Sequence, residues 1–261
     1  STKVQAQEKL KKFRPKVGFP NEWKDYSNLV ISKDDLIGNI KNSTLDRTIK
    51  NREKLGKPID QEEWGMTPQT VNAYYSPLLN EIVFPAGILQ PPFFNMEADD
   101  AVNYGAIGAV IGHEMGHGFD DKGSKYDGNG ELRNWWTESD RKQFEERTKK
   151  LIDQYNGYTV VDGTPVNGEF TQGENIGDLA GIVIAYKAYQ LSKKGNEAPI
   201  IDGLTGDQRF FFGWATIWGS KSTDEQLIRQ IKTDPHSPGE FRANGPLVSM
   251  PEFVNLYNVK P

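Results

Sequence analysis

The chain has 261 residues, a formal net charge of −5, three histidines and no cysteine. This length suits one large domain or two small ones, with a substantial buried core. The acidic balance argues against nucleic-acid binding, and no apolar run is long enough to cross a membrane. Because cysteine is absent, disulfides and thiolate ligands are excluded, and any bound metal must be held by histidine and carboxylate side chains.

Residues 1–60 are polar and rich in lysine, and they predict a helical flank. A first helix is expected over 4–14, where apolar residues are spaced among lysines. Ser32 and Asp35 resemble a capping box ahead of a second helix, which ends near Gly56.

The composition changes after residue 60, and a second domain is expected over 61–261. Residues 71–75 and 81–84 predict two strands joined by a turn, and therefore a hairpin. Helices are expected over 101–117, 138–155, 174–189, 210–218 and 223–234. The predicted fold class is predominantly α with a small β-sheet (α+β). Four glycines in the first of these helices indicate close backbone packing or room for a ligand: Gly105, Gly108, Gly112 and Gly116.

Two of the three histidines are four residues apart, in the motif His113-Glu114-x-x-His117. One helical turn places both imidazoles on the same face, where they can bind a single zinc ion. Glu114 can then act as general base on the zinc-activated water. The alternative is a surface helix with two solvated histidines, and the apolar stretch before the motif argues against it.

A catalytic zinc site needs a third protein ligand and one open position. An extended histidine motif is excluded, because Asp120 and Gly123 stand where a glycine and a third histidine would be. Glu174 and Asp178 share one face of a later helix beside apolar residues, and burying two acids is costly without a cation. We predict Glu174 as the ligand and Asp178 as the acceptor behind a ligating histidine. The alternative is a pair of acids favoured by the helix dipole.

The remaining histidine, His236, lies in a loop between Pro235 and Pro238. Two prolines stiffen this loop, which suits a side chain that donates to a developing oxyanion. A loop histidine bonded to local backbone explains the spacing equally well. Both interpretations stay open at this point.

Together these motifs resemble the neprilysin and endothelin-converting-enzyme family of zinc endopeptidases, which has bacterial, PepO-like members. The resemblance implies a thermolysin-like zinc-peptidase catalytic domain. It is carried by motifs over 71–75, 82–94, 112–121, 173–176, 232–239 and 241–242. It implies one zinc ion per chain, with the ligands His113, His117 and Glu174. It implies three catalytic roles, which are general base for Glu114, transition-state stabilisation for His236 and orientation of a zinc histidine for Asp178.

The resemblance also implies a substrate-binding surface. Asn72 and Ala73 would bond the peptide backbone as an edge strand, and Arg242 would reach a substrate carbonyl. Five apolar residues would line a pocket for the residue after the cut: Ile88, Phe93, Val110, Ile217 and Trp218. Ordinary core packing is the alternative for these five.

We therefore predict a zinc-dependent endopeptidase that cuts small to medium peptides, preferably before hydrophobic residues. The alternative is a catalytically silent binding fragment that keeps the zinc site but lacks a capping domain. Relatives in this family are longer, so we expect an N-terminal capping domain or a companion chain of the same enzyme as partner, besides peptide substrates. Animal ectoenzymes of the family carry disulfides, so the absence of cysteine favours a bacterial, cytoplasmic location.

Overall fold

The computed structural model describes residues 1–259, which fall into two compact units. The smaller unit is Phe19–Pro68. The larger unit combines Ser1–Gly18 with the chain from Gln69 onwards, and it contains every predicted site residue. The predicted boundary between a helical flank over 1–60 and a catalytic domain over 61–261 stays a prediction.

Helices dominate the described residues, and a small sheet accompanies them, which confirms the predicted fold class. The helices are α1 (Thr2–Lys11), α2 (Leu36–Glu53), α3 (Asp100–Asn103), α4 (Ala109–His117), α5 (Glu138–Asn156), α6 (Gln172–Ser192), α7 (Gly206–Ile217), α8 (Asp224–Thr233), α9 (Gly239–Asn244) and α10 (Pro251–Tyr257). The strands are β1 (Arg14–Gly18), β2 (Tyr74–Ser76) and β3 (Glu81–Pro85). In the part of the chain that is described, no helix is long and apolar enough to span a membrane.

The smaller unit is built around α2, which forms where a second helix was predicted. Its cap differs from the prediction, because Asp35 rather than Ser32 caps the helix and accepts a hydrogen bond from the Gly38 amide at 2.8 Å. None of the residues of α2 is buried. Its apolar side chains are exposed: Leu36, Ile37, Ile40, Leu45 and Ile49.

The sheet has the strand order β1-β3-β2, with β3 in the centre and fully buried. β2 and β3 pair in antiparallel fashion, which confirms the hairpin, although β2 starts three residues later than predicted. β1 was missed, because the helix expected over 4–14 ends at Lys11 and the chain turns into a strand. β1 pairs in parallel with β3, with Arg14 opposite Glu81, and this long-range pairing leaves no periodic pattern in the sequence.

The main core lies between α3, α4, α6, α7 and β3, and it centres on buried aromatic side chains such as Trp214 and Phe210. A π-helical turn over Tyr104–Gly108 joins α3 to α4. α6 and α7 begin before the expected positions, and for α7 the missed signal is the capping box of Thr205 and Gln208. The short helices α9 and α10 were not predicted.

Helices α4 and α6 approach each other closely through glycines. A Cβ atom on Gly112 would lie 2.7 Å from the carbonyl oxygen of Gly181, and one on Gly177 would lie 2.8 Å from the ring of His113. Any side chain at these positions would push the helices apart. The predicted close packing is therefore confirmed, and it brings the first turn of α6 to the histidines of α4.

Candidate active site

The two histidines of α4 face the first turn of α6. Nε2 of His113 lies 3.2 Å from Oε2 of Glu174, and Nε2 of His117 lies 3.6 Å from the same oxygen. The two imidazole rings stand edge to face, with centroids 4.5 Å apart. One ligand atom from each of the three residues lies within 4.8 Å of the others, so the three can hold one metal ion.

The chemistry of this cluster fits zinc. Oε2 of Glu174 is buried and has no hydrogen-bond partner among the described residues, although imidazole nitrogens surround it. The imidazole nitrogens and Oε2 of Glu174 thus point to one place without forming hydrogen bonds to each other. Ligand atoms around a cation are expected to have this arrangement. Two imidazoles and one carboxylate, with no fourth ligand in the described residues, match the donor set of a catalytic zinc site.

A carboxylate lies behind each of the two imidazoles. Nδ1 of His113 is 2.9 Å from Oδ1 of Asp178, and Nδ1 of His117 is 2.8 Å from Oδ2 of Asp120. Asp178 therefore lies where the sequence predicted an acceptor. Asp120 was missed, although its position three residues after His117, at the end of α4, was available as a signal. Carboxylates in this position orient a ligating imidazole and set its tautomer.

His236 joins the same cluster. Its Nε2 lies 3.1 Å from Oε2 of Glu174, and its Nδ1 lies 2.6 Å from Oδ1 of Asp234, a second residue that the sequence reasoning missed. The side chain thus contacts one carboxylate of the cluster and one of its own loop. Its part in stabilising a transition state stays a prediction. Burial raises the pKa of Glu174, but the surrounding imidazoles outweigh it and hold the pKa well below its usual range.

Glu114 is buried beside the histidines and is only 5% exposed. Its Oε2 atom has no hydrogen-bond partner in the described part of the chain. Burial raises the pKa of Glu114, whereas the neighbouring His113 and His117 lower it. A buried carboxylate with a raised pKa and a free oxygen is suited to accept and release a proton.

Arg242 is buried at the site. Its Nε and Nη2 atoms donate to both oxygens of Asp178, at 2.8 and 2.7 Å, and its guanidinium lies 4.0 Å from the ring centroid of Trp218. Burial raises the pKa of Asp178, but Arg242 outweighs it and keeps the carboxyl ionised. Nη2 of Arg242 is also 3.8 Å from Oε2 of Glu174, so the guanidinium borders the cluster. A contact with substrate stays a prediction.

The predicted peptide-binding segment lies just before β2, at the edge of the sheet. Asn72 is exposed, Ala73 is buried, and the Ala73 amide donates to the side chain of Asn72 at 2.9 Å. A cavity of about 240 Å³ lies between this hairpin and the cluster. Its lining includes Tyr75, Pro77, His117, Phe170, Glu174 and Pro235.

The five predicted pocket residues belong to the main core or border it. Ile88, Val110 and Ile217 are buried members of the core cluster, and Phe93 and Trp218 pack against it. Core packing alone accounts for these positions. Their role in binding a substrate side chain stays a prediction.

Known proteins with similar sequences identify the family of this chain. Peptidase family M13 matches residues 72–261. Endothelin-converting enzyme 1 of Mus musculus is 47% identical over 212 residues, which are 80% of this chain and 27% of that protein. An endothelin-converting enzyme homolog of Locusta migratoria is 42% identical over 262 residues, which are 97% of this chain and 36% of that protein.

Solved structures agree. The crystal structure of Mycobacterium tuberculosis zinc metalloprotease Zmp1 with an inhibitor superposes with a TM-score of 0.97 at 56% identity, over 99% of this chain and 40% of that one. PepO from Lactobacillus rhamnosis gives a TM-score of 0.89 at 35% identity, over 100% of this chain and 40% of that one. This chain thus spans well under half the length of these relatives. The resemblance predicted from the motifs is confirmed, and the chain belongs to peptidase family M13.

Proposed function

We propose that this chain is the catalytic portion of a zinc-dependent endopeptidase that cuts small to medium peptides, preferably before hydrophobic residues. The observation that carries the proposal is the convergence of His113, His117 and Glu174 on one point, with Glu114 and His236 beside it. Membership of a peptidase family supports the same reaction class.

In this proposal His113, His117 and Glu174 hold one zinc ion. When bound there, zinc would polarise the scissile carbonyl and lower the pKa of water. The buried carboxylate of Glu114 takes the proton of the attacking water and passes it to the leaving amine. The pKa of Glu114 is raised toward neutral pH, so the carboxylate can both take up the proton from water and release it to the amine.

His236 is proposed to donate from Nε2 to the oxygen that gains charge in the transition state. Asp234 holds the opposite ring nitrogen at 2.6 Å, which fixes the ring and favours a proton on Nδ1 that is shared with the carboxylate. With both ring nitrogens protonated, the imidazolium places a positive charge near the oxyanion. Arg242, held by Asp178, is proposed to contact a carbonyl of the substrate farther along.

The substrate is proposed to add as a strand along β2, with Asn72 and Ala73 bonding its backbone. Ile88, Phe93, Val110, Ile217 and Trp218 are proposed to form the floor of a pocket for an apolar side chain. A capping domain or a companion chain of the same enzyme is the proposed protein partner, and a bacterial cytoplasmic location is the proposed setting.

A second candidate is a binding fragment that keeps the zinc site without turnover. It is favoured by one observation, which is that the chain spans 27% and 36% of the lengths of the two curated relatives. Residues outside that span could complete the cleft in the relatives.

One experiment separates the two candidates. Zinc content is measured by elemental analysis, and cleavage of a fluorogenic peptide library is followed with the chain alone, with chelator, and after zinc is restored. The endopeptidase proposal expects about one zinc per chain and cleavage that chelator abolishes and zinc restores. Zinc without cleavage would support the binding fragment, and a chain that binds no zinc would refute both.

A further inference from the structure

Lys9, on α1, is a buried lysine that lies far from the active site in sequence. It is 1% exposed. Its ammonium donates to three backbone carbonyls, those of Gly118 at 2.6 Å, Gly123 at 2.8 Å and Tyr126 at 2.8 Å. These three bonds use every donor of an ammonium group. A lysine is almost never buried so completely unless its charge is satisfied in this way.

The charge of Lys9 persists at neutral pH. Burial lowers the pKa of Lys9 to about 8, while Asp120 and Asp127 oppose the decrease. At pH 7 the ammonium form therefore predominates. Three aromatic rings surround it with centroids at 5.6, 5.5 and 5.9 Å, which adds cation–π attraction. They belong to Tyr75, Phe119 and Trp135.

The three carbonyls belong to the loop that follows the histidine helix. Gly118 immediately follows His117, and its carbonyl lies at the negative end of α4, where a cation is favourable. The amide of Gly123 donates to Oδ1 of Asp120 at 2.7 Å, and the amide of Lys122 donates to the same oxygen at 2.8 Å. The other oxygen of Asp120 faces Nδ1 of His117.

A continuous path therefore runs from α1 to the metal site. Lys9 holds the carbonyl of Gly123, whose amide holds Asp120, which in turn holds His117. The backbone of α1 is itself anchored, because the side chain of Asn80 donates to the carbonyl of Lys9 at 3.0 Å.

We propose that Lys9 is a positioning residue for the metal site, acting through the Gly118–Tyr126 loop and Asp120 to hold the imidazole of His117 in its ligating orientation. This inference rests on the proposed zinc site. It gives α1 a role in zinc binding, although Lys9 is neither a proposed zinc ligand nor hydrogen-bonded to the side chain of one.

The test compares Lys9→Met with Lys11→Met in the full chain. Both substitutions remove a lysine from α1, but Lys11 is exposed and forms a surface ion pair with Glu8, so it is a matched control. Zinc affinity is measured at pH 7 by competition with a chromophoric chelator. Loss of a group that orients a metal ligand weakens binding about 10–100-fold, and we expect this for Lys9→Met. The control should stay within about twofold of the unsubstituted chain.

A double-mutant cycle separates positioning from general stability. In Asp120→Asn the side chain keeps an oxygen for the two loop amides but loses the carboxylate behind His117. If Lys9 acts through Asp120, Lys9→Met should weaken zinc binding strongly in the original background and little in the Asp120→Asn background. An equal effect of Lys9→Met in both backgrounds would overturn the proposal.

Chemical rescue provides the second variant. Because the chain has no cysteine, Lys9→Cys can be alkylated selectively with bromoethylamine in denaturant, which rebuilds an ammonium of lysine length. After refolding, with the unsubstituted chain treated identically, the alkylated protein should bind zinc more tightly than the unmodified Cys variant.

The outcomes are distinct. If neither Lys9→Met nor unmodified Lys9→Cys folds, and alkylation of Lys9→Cys does not restore folding, Lys9 is a structural residue and the inference is overturned. Unchanged zinc affinity in Lys9→Met would do the same while leaving the proposed function intact. Absence of zinc binding in the unsubstituted chain would instead refute the proposed function.

Discussion

At the scale of single residues, each histidine of the site is backed by an aspartate. Asp178, Asp120 and Asp234 lie within 2.9 Å of the rear nitrogens of the three imidazoles. The identity of the histidines, Glu114 and Glu174 could be predicted from their spacing in the chain. Asp120 follows His117 by three residues and could have been predicted, whereas Asp234 could not, because loop geometry brings it to His236.

Glu114→Gln should keep zinc and lose turnover. The amide has the same shape as the carboxylate but cannot accept a proton, and a positioned general base contributes about 10²–10⁴-fold to rate. Zinc per chain and kcat on a peptide substrate are the two measurements. Full activity in the variant would show that another group is the base, and loss of zinc would assign Glu114 to the metal site itself.

His236→Ala should lower kcat more than it changes KM, if its donor acts mainly in the transition state. In other enzymes, removal of one hydrogen-bond donor to the oxyanion lowers kcat about 10²–10³-fold. Steady-state kinetics on one peptide across a range of concentrations measures both constants. A large increase in KM with unchanged kcat would instead assign His236 to ground-state binding.

Zinc binding should strengthen as pH rises. Burial lowers the pKa of His117, but Asp120 and Glu174 outweigh it and raise the pKa to about 11. The raised pKa keeps both ring nitrogens of His117 protonated at neutral pH. One of these two protons must leave before the imidazole can bind zinc, and alkaline pH favours its loss. Calorimetry in two buffers of different ionisation enthalpy should detect proton release at pH 7. Zinc binding without proton release would contradict this protonation state.

At the scale of elements, the close crossing of α4 and α6 brings together the three proposed zinc ligands. Periodicity and caps predicted most helices, since amphipathic spacing and capping residues are local signals. β1 was missed because its pairing with β3 is long-range. The glycines of α4 predicted close packing, but the sequence did not show which helix packs against them. The contact of Gly112 with Gly181 depends on the tertiary structure.

Gly112→Ala tests this crossing. An added Cβ would lie 2.7 Å from the carbonyl oxygen of Gly181, and overpacking of this kind costs about 1–3 kcal/mol. We expect a lower Tm in the metal-free chain and weaker zinc binding, measured by circular dichroism and chelator competition. Gly108→Ala is the matched control, because its Cβ would meet nothing closer than 3.5 Å. Equal effects of the two substitutions would show that the crossing tolerates a methyl group.

At the scale of the whole molecule, one ion would join two helices that are distant in sequence, because its ligands come from α4 and α6. A ligand that binds only the folded state stabilises it by mass action. Zinc binding should therefore be visible in the stability of the entire larger unit.

Addition of zinc to the metal-free chain should raise its Tm in a concentration-dependent manner. At free zinc about 100-fold above Kd the gain is about 2.7 kcal/mol. Thermal unfolding followed by circular dichroism at several buffered zinc concentrations measures it, with magnesium as the control ion, since it prefers oxygen ligands. The same Tm with and without zinc would count against a site that links the two helices.

The amino-acid sequence alone determined the helical class, the family, and the spacing that makes His113, His117 and Glu174 candidate zinc ligands and Glu114 a candidate general base. These depend on residue type and local spacing, which a helix converts directly into a shared face. Only the tertiary structure decided that Asp178 lies behind His113, that Arg242 binds Asp178, that α6 can touch α4, and that Lys9 reaches the loop after α4. Those contacts join segments far apart in the chain, where no local pattern constrains the pairing and only the packed fold selects it.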